Sequence, residues 1–213
     1  MAKVETPASL GFCMPAEWEA HEATWIGWPH NKSDWPGKFS IIPWVFGEIV
    51  RKLSVGEIVR IIVNSKEHEA GARRVLKRVH ADMSQIEFFR FPTNRGWTRD
   101  FGPMFVKRIT PEPEVAVTAF RFNAWAKYSD WKKDTLIHQR GAKALGVQLF
   151  HPTRNNRSVV LEGGAIDVNG RGSLLTTEEC LLDQETQVRN HAMTQQELEK
   201  LLAEYLGATN VIW

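Results

Sequence analysis

The segment IEFFRFPTNRGWTRDFGPMFV, residues 86–106, is the part of the chain on which the fold assignment depends. Its ends, Ile86–Phe91 and Met104–Val106, are apolar and aromatic runs of the composition that strands favour. The residues between these runs include prolines, glycines and an asparagine, which are typical of loops. The segment therefore predicts two strands joined by a short loop.

The predicted loop carries three side chains that could recognise a cation or pair with one another. Trp97 offers an aromatic face, Arg99 a guanidinium and Asp100 a carboxylate. A carboxylate accepts paired hydrogen bonds from a guanidinium, and a tryptophan face attracts cations. The sequence allows two interpretations of this loop. The loop forms a ligand site, or Asp100 forms an ion pair with Arg99 or Arg95 beside a rim tryptophan.

A second acidic candidate is Glu162, which is followed directly by Gly163 and Gly164. Two glycines allow another backbone or a ligand to approach closely, and they tolerate unusual dihedral angles. The flanking residues are apolar, so the sequence places the carboxylate at a bend in a strand. Glu162 then either faces a binding site or faces water on a bulge.

Strands and helices alternate along the chain, which predicts an α/β class in which a ββαβ rhythm recurs. Helices are predicted to begin at Pro43, Asn64, Asp130 and Thr194, the last of these with a capping box. Pro111 and Pro113 predict a turn, and residues 151–157 a loop. Strands are predicted at residues 22–28, 57–63, 86–91, 104–108, 114–122, 147–150, 159–168, 173–176 and 210–213.

The bulk composition excludes several classes of function. The net charge is +2, from 27 Lys and Arg against 25 Asp and Glu, so nucleic acid and anionic membranes are not predicted partners. No apolar run reaches the length of a membrane span, and the start lacks the apolar core of a signal peptide. The two cysteines, Cys13 and Cys180, fit neither a disulfide framework nor a zinc site. These features predict a cytoplasmic protein.

Four segments of the chain, taken in order, form a recognisable set. They are PAEWEAHEATWIGWP (15–29), FPTNRGWTRDFGP (91–103), RFNAWAKY (121–128) and LEGGAIDVNGRGSLLTTEECLLD (161–183). Together they resemble the agmatine deiminase family, which is related to the bacterial peptidylarginine deiminases. The resemblance extends from about Met14 to the last residue. It implies a five-bladed α/β propeller, the pentein fold, of which this chain would supply about three ββαβ blades.

The resemblance also implies a domain organisation. Residues 1–14 are expected to form a mobile lead-in, and residues 15–213 the amino-terminal part of one propeller domain that is truncated at its C-terminus. A chain of this kind is expected to associate with other chains, including copies of itself, because unpaired strand edges recruit further strands.

The implied reaction converts agmatine to N-carbamoylputrescine and ammonia, a step of putrescine biosynthesis, through a cysteine thiouronium intermediate. Asp100 and Glu162 would contact the substrate guanidinium, and Trp97 would line the site. No metal or organic cofactor is implied. Peptidylarginine or free arginine remains an alternative substrate, and a non-catalytic module that binds guanidinium or polyamine ligands remains an alternative function.

The attacking half of the family's site is not recognisable in this sequence. The family's histidine lies in an H-x-H-x-D element, and none of the seven histidines here forms an H-x-H pair. His68, His80 and His138 fall in helical contexts and are predicted to lie on the surface. His21, in the first family-like segment, is the one histidine left as a candidate.

Neither cysteine is a good candidate for the nucleophile. Cys180 follows Glu178 and Glu179, and adjacent negative charge disfavours the thiolate that a nucleophile needs. Cys13 has no basic neighbour in sequence. Cys180 is therefore predicted to be a small buried residue, and the 213-residue chain is expected to lack activity by itself.

Overall fold

The computed structural model describes residues 5–108 and 113–213, and within these ranges the fold is mixed α/β. The turn predicted at Pro111 and residues 1–4 of the predicted lead-in lie outside the described residues. The helices are α1 (Ile42–Leu53), α2 (Lys66–Arg78), α3 (Thr98–Phe101), α4 (Ile137–Leu145), α5 (Glu178–Leu181) and α6 (Gln195–Leu206). The strands are β1 (Ala23–Gly27), β2 (Ile58–Val63), β3 (Ile86–Arg90), β4 (Met104–Arg108), β5 (Glu114–Thr118), β6 (Gln148–Phe150), β7 (Thr153–Arg154), β8 (Arg157–Ser158), β9 (Asp167–Val168), β10 (Ser173–Leu175) and β11 (Asn210–Ile212).

The chain divides into two compact units, and no low-complexity linker separates them in sequence. One unit, called here the parallel unit, comprises residues 20–98 and 130–134. The other, called the mixed unit, comprises the described residues of 1–19, 99–129 and 135–213. Asp100 and Glu162 belong to the mixed unit, whereas Trp97 belongs to the parallel unit.

The parallel unit is built on the sheet β1-β2-β3, in which all neighbouring strands are parallel. Parallel neighbours require crossover connections, and α1 and α2 supply them. The middle strand reads IVRIIV and buries Val59, Ile61 and Val63 on one face and Ile62 on the other, as expected for a strand covered on both faces.

The second helix begins one residue later than predicted. Ser65, not Asn64, caps α2, because its side chain accepts a hydrogen bond from the amide of His68. The Asn64 side chain instead accepts a hydrogen bond from the amide of Thr93, at 2.8 Å, which is a contact distant in sequence.

The mixed unit contains two three-stranded sheets of the same design. In each sheet an antiparallel pair comes first, and a helical connection then adds a parallel strand: β4-β5-β6 with α4, and β9-β10-β11 with α5 and α6. The predicted ββαβ rhythm therefore describes these two sheets, whereas the parallel unit follows a βαβαβ order. The predicted capping box of Thr194 and Glu197 is present at the start of α6.

Four predicted segments, all wholly or mostly in this unit, are shorter or more complex in the structure. The strand predicted over 114–122 ends at Thr118, and the helix predicted over 130–145 begins at Ile137 after a 3-10 turn. The strand predicted over 159–168 is interrupted by a 3-10 turn at Gly163–Ala165. The predicted loop 151–157 contains the hairpin β7-β8, because Asn155 and Asn156 both adopt the positive φ angles that a two-residue turn requires.

The structure corrects the prediction for residues 8–14 of the lead-in. Ala8–Leu10 form a 3-10 turn, and Phe12 is 3% exposed in the core of the mixed unit. The Phe12 ring lies 6.0 Å from that of Phe150, and the Arg108 guanidinium lies 4.8 Å above it. These contacts, rather than mobility, characterise this segment.

None of the helices in the described ranges combines the length and the apolar composition that a bilayer-spanning segment needs.

We expect Phe12→Ala to lower the free energy of unfolding by about 3–5 kcal/mol, because a buried aromatic ring would be replaced by a cavity. Val55→Ala is the control: Val55 is 87% exposed, and surface substitutions change stability by less than about 0.5 kcal/mol. Urea unfolding followed by circular dichroism measures both. Equal effects of the two substitutions would mean that the first residues contribute no packing.

Candidate active site

The segments that carry the two predicted carboxylates meet within the mixed unit. Asp100 lies on α3, and Glu162 precedes the 3-10 turn Gly163–Ala165. The amide of Gly164 donates a hydrogen bond of 3.1 Å to Oδ1 of Asp100, so α3 rests directly against the Glu-Gly-Gly segment. Glu162 is 1% exposed, so the interpretation in which it faces water is wrong.

Glycine is required at both positions after Glu162 because α3 approaches so closely. A Cβ atom on Gly163 would lie 2.3 Å from the carbonyl oxygen of Arg99, and one on Gly164 would lie 2.2 Å from Oδ1 of Asp100. Both distances are below any van der Waals contact. The predicted close approach to the two glycines is therefore present, and the approaching group is α3 of this chain.

Burial raises the pKa of both carboxyl groups above their usual range. For Asp100 the increase is opposed by hydrogen bonds from the Gly164 amide and the Trp125 side chain, and by the charges of Arg99 and Arg189. For Glu162 burial is opposed by Arg189, while the nearby charge of Asp100 raises the pKa further. Asp100 is half-buried and Glu162 is buried. Two neighbouring acids of this kind favour a cation at the site, because a positive charge stabilises both ionised forms.

The arginines close to Asp100 in sequence have other carboxylate partners. Arg99 donates to both oxygens of Glu17, one of them at 3.2 Å. In the parallel unit, Arg95 donates to Asp34 at 2.6 Å and to Asp130 at 2.9 Å. The ion-pair interpretation of Asp100 therefore does not account for its hydrogen bonds, which come from Gly164 and Trp125.

Trp125 contributes to the site although no role for it was apparent in the sequence. Its φ angle is 60°, and its neighbours Ala124 and Ala126 have φ angles of 52° and 53°. Such angles are strained for residues other than glycine, and strain of this kind concentrates at functional sites. The Trp125 ring packs edge-on against Phe122, at 5.3 Å, and its indole N–H reaches Asp100. Alanine gives no sequence signal for a positive φ angle, so this contact was missed.

Arg189 is a second site residue that sequence reasoning missed. Its Nε atom donates a hydrogen bond of 3.2 Å to Oε1 of Glu162, and both side chains are buried. The pair is separated by 27 residues, and Arg189 belongs to a stretch without helix or strand periodicity. No local signal in the sequence therefore indicated the contact.

Trp97 lies in the parallel unit, where its side chain is 44% exposed. The loop that leads to Trp97 is anchored by Asp134, which is fully buried. Oδ1 of Asp134 accepts hydrogen bonds from the amides of Asn94, at 2.5 Å, and Arg95, at 3.3 Å. Burial raises the pKa of Asp134 to about 7. This anchor was not predicted from the sequence.

Two of the three histidines predicted on the surface are not exposed. His138 on α4 is completely buried, and burial lowers its pKa to about 4. His68 is half-buried: its Nδ1 accepts from the amide of Asn64, so its Nε2 donates to the carbonyl of Pro29, at 3.2 Å. Burial lowers the pKa of His68. His80 is exposed, as predicted.

The remaining candidates for proton transfer and nucleophilic attack are one histidine and the two cysteines. His21 lies in the parallel unit, with its Nδ1 3.3 Å from Oε2 of Glu57. Cys180 is half-buried on α5 and packs against the core of the mixed unit, whereas Cys13 is exposed. Within residues 5–108 and 113–213, no cluster of three His, Cys, Asp or Glu side chains could hold a metal ion.

Comparison with known proteins identifies similar sequences along nearly the whole chain. The family model described as Porphyromonas-type peptidyl-arginine deiminase matches residues 13–213. An agmatine deiminase of Medicago truncatula is 35% identical, with 98% of this chain and 54% of that protein covered. An agmatine deiminase of Pseudomonas aeruginosa is 33% identical, with the same two coverages. The chain thus spans about half the length of the curated relatives it matches.

Solved structures show a similar fold. The agmatine deiminase of Enterococcus faecalis, captured while catalysing its reaction, superposes with a TM-score of 0.84 at 30% identity, over 99% of this chain and 55% of that chain. An agmatine deiminase of C. jejuni with substrate bound gives a TM-score of 0.76 at 26% identity, over 95% of this chain and 55% of that chain.

We expect Gly164→Ala to lower the free energy of unfolding by about 1–3 kcal/mol, because the added methyl group overlaps the Asp100 carboxylate and must displace it. Gly56→Ala is the matched control, since a Cβ atom there meets nothing within 4 Å and the residue has no positive φ angle. Urea unfolding of both variants tests the close approach. A loss no larger for Gly164→Ala than for Gly56→Ala would contradict it.

A pH-dependent contribution to stability should come from Asp134. Its pKa in the folded chain, about 7, exceeds that of an unfolded aspartate, about 3.9, so folding favours the protonated carboxyl. The stabilisation is complete below about pH 4 and is lost as the pH rises through 7. We expect the wild-type chain to lose more thermal stability than Asp134→Asn between pH 5 and pH 8. The melting temperature of both proteins is measured across this pH range. If the wild type and Asp134→Asn lose the same thermal stability, Asp134 is ionised in the folded chain and the prediction is wrong.

Proposed function

Because the chain belongs to the Porphyromonas-type peptidyl-arginine deiminase family, we propose that it supplies the guanidinium-binding part of an agmatine deiminase. In this proposal the complete protein hydrolyses agmatine to N-carbamoylputrescine and ammonia. The observation that carries the proposal is a pair of neighbouring acids, the half-buried Asp100 and the buried Glu162, whose pKa values are both raised by burial. A pair of this kind is suited to a ligand that is always cationic.

The guanidinium group of agmatine is always charged in water and presents its N–H donors in one plane. Asp100 and Glu162 would accept hydrogen bonds from different N–H groups, which would fix that plane and keep the carbon electrophilic. Each well-formed charge-assisted hydrogen bond contributes about 1.5–3 kcal/mol. Trp97 is proposed to contact the substrate as well, and this assignment rests on the family resemblance alone.

The chemical step requires a thiolate that attacks the guanidinium carbon. A C–S bond forms, the C–N bond to the departing nitrogen breaks, and ammonia leaves with a proton from a histidine. Water then attacks the same carbon, the C–S bond breaks to restore the thiolate, and the carbamoyl product is released. We propose that the cysteine and the histidine are provided from outside this chain, since Cys180 packs against the core and His138 is completely buried.

We extend the proposal to the number of blades and to the domain boundaries. The three three-stranded sheets would correspond to about three blades of a five-bladed pentein propeller, and residues 15–213 would form the amino-terminal part of a single domain. The two sheets with the ββαβ order support this, since that order is the repeating unit of the proposed blade. Association through exposed strand edges, including with a second copy, and a cytoplasmic location are proposed on the sequence alone.

Peptidylarginine and arginine are alternative substrates, and ligand binding without catalysis is an alternative function. The family model is named for peptidyl-arginine, so peptidylarginine or arginine remains the second candidate substrate. Agmatine is preferred because the relatives at 33–35% identity are named agmatine deiminases. A non-catalytic module that binds guanidinium or polyamine ligands would retain the same two carboxylates without turnover.

Isothermal titration of agmatine into the 213-residue chain tests the proposal. We expect Asp100→Asn and Glu162→Gln each to weaken binding by about tenfold or more, as expected for the loss of one charge-assisted hydrogen bond. Glu179→Gln, which changes an exposed carboxylate on α5, is the control and should bind normally. Arginine titrated in parallel separates the two candidate substrates.

The same samples are assayed for ammonia release, which should not exceed the uncatalysed rate. Wild-type affinity in both Asp100→Asn and Glu162→Gln would exclude the proposed guanidinium site. Ammonia release that Cys180→Ser abolishes would instead place the nucleophile in this chain.

A further inference from the structure

The loop of residues 183–192 is built by its own hydrogen bonds. Asp183 accepts from the amides of Glu185 and Thr186 through Oδ1 and from that of Gln187 through Oδ2, at 2.8–3.1 Å. The side chain of Gln184 then bridges the carbonyl of Asn190, at 3.2 Å, and the amide of Ala192, at 2.9 Å. A loop with this many internal hydrogen bonds holds its side chains in fixed positions.

Two consecutive residues of the loop hold the segment that carries Glu162. Asn190 uses both ends of its amide on the backbone of Val160, accepting from the N–H at 2.9 Å and donating to the carbonyl at 2.8 Å. Arg189 donates from Nε to Oε1 of Glu162 at 3.2 Å. The loop therefore fixes the backbone two residues before the acid and one oxygen of the acid itself.

The Arg189 guanidinium is itself held in orientation. Its Nη1 atom donates to the backbone carbonyl of Gln187, at 2.9 Å, and to the side-chain oxygen of Gln187, at 3.3 Å. Only 7% of the Arg189 side chain is exposed, so its charge acts on Glu162 with little screening by water. The cation thus faces Glu162 along one edge and is held by the loop through another.

The second oxygen of Glu162 is what distinguishes this pair from a structural ion pair. Oε2 is buried and has no hydrogen-bond partner among the residues that the structure describes. A buried carboxylate oxygen without a donor destabilises the fold. If Glu162 only stabilised the fold, both of its oxygens would be expected to accept hydrogen bonds. One oxygen is instead held and the other is left as an acceptor.

We propose that Arg189 is a positioning residue for guanidinium recognition, which holds Glu162 ionised and oriented so that Oε2 accepts a hydrogen bond from the substrate cation. The inference rests on the proposed function, since it assigns the free oxygen to the guanidinium. Asp100 adds negative charge beside Glu162, which by itself would favour a protonated acid. A protonated Glu162 would be a poor partner for a cation, and Arg189 opposes that protonation.

Two substitutions separate the charge of Arg189 from its geometry. Arg189→Gln keeps a hydrogen-bond donor without charge, and Arg189→Lys keeps the charge without the planar guanidinium. Arg157→Gln and Arg157→Lys, at an exposed arginine of β8, are the matched controls. Agmatine binding to the 213-residue chain is measured by calorimetry between pH 5 and pH 9, and the Glu162 carboxyl is titrated by NMR without ligand.

We expect Arg189→Gln to raise the pKa of Glu162, to move the midpoint of agmatine binding to higher pH, and to weaken binding at pH 7 by about tenfold. Arg189→Lys should retain the wild-type midpoint but bind less tightly, because an ammonium does not fix the carboxylate edge. The Arg157 variants should match the wild type in all three measurements.

Wild-type affinity and wild-type pH midpoint in Arg189→Gln would overturn the inference. If that variant does not fold, Arg189→Lys decides: wild-type affinity there would overturn it. The failure of the proposed function looks different, because Glu162→Gln would then bind agmatine like the wild type. In that case the titration of Glu162 without ligand still tests the inference. A pKa of Glu162 in Arg189→Gln equal to that of the wild type would contradict it.

Discussion

The close approach of α3 to the Glu-Gly-Gly segment is the constraint on which the candidate site depends. The Gly164 amide bonds to Asp100, and the glycines leave no room for a side chain between the two segments. The contact joins residues 64 positions apart and brings two acids into one environment. Without it, Asp100 would be a carboxylate on a short surface helix and Glu162 an acid at the end of a strand.

This arrangement has an electrostatic consequence that the fold does not fully compensate. Burial raises the pKa values of Asp100 and Glu162, and the charge of Asp100 makes ionisation of Glu162 still less favourable. The charge of Arg189 lowers both pKa values and so opposes this effect. A permanently charged ligand removes this conflict, because it stabilises both ionised forms together. The chemistry of the proposed substrate therefore agrees with the electrostatics of the site.

Support for the two acids comes from irregular segments rather than from the sheets. The strained residues Ala124–Ala126 direct the Trp125 indole to Asp100, and the loop of residues 183–192 holds Glu162 through Arg189. Loops fixed by internal hydrogen bonds can hold side chains as firmly as regular elements. The sheets of the mixed unit provide the frame, and these loops set the orientation of the acids.

The sequence by itself determined the α/β class and most element positions, because these depend on local periodicity and capping residues. It also marked Asp100 and Glu162 as candidate site residues, through a loop position, a glycine pair and the family resemblance. It did not determine the roles of Arg189, Trp125 or Asp134, or the burial of His138. Each depends on partners distant in sequence, and no local pattern marks a residue for such a contact. Only the tertiary structure decided that one oxygen of Glu162 is paired and that the other has no partner among the described residues, because that outcome follows from how a loop and a strand meet.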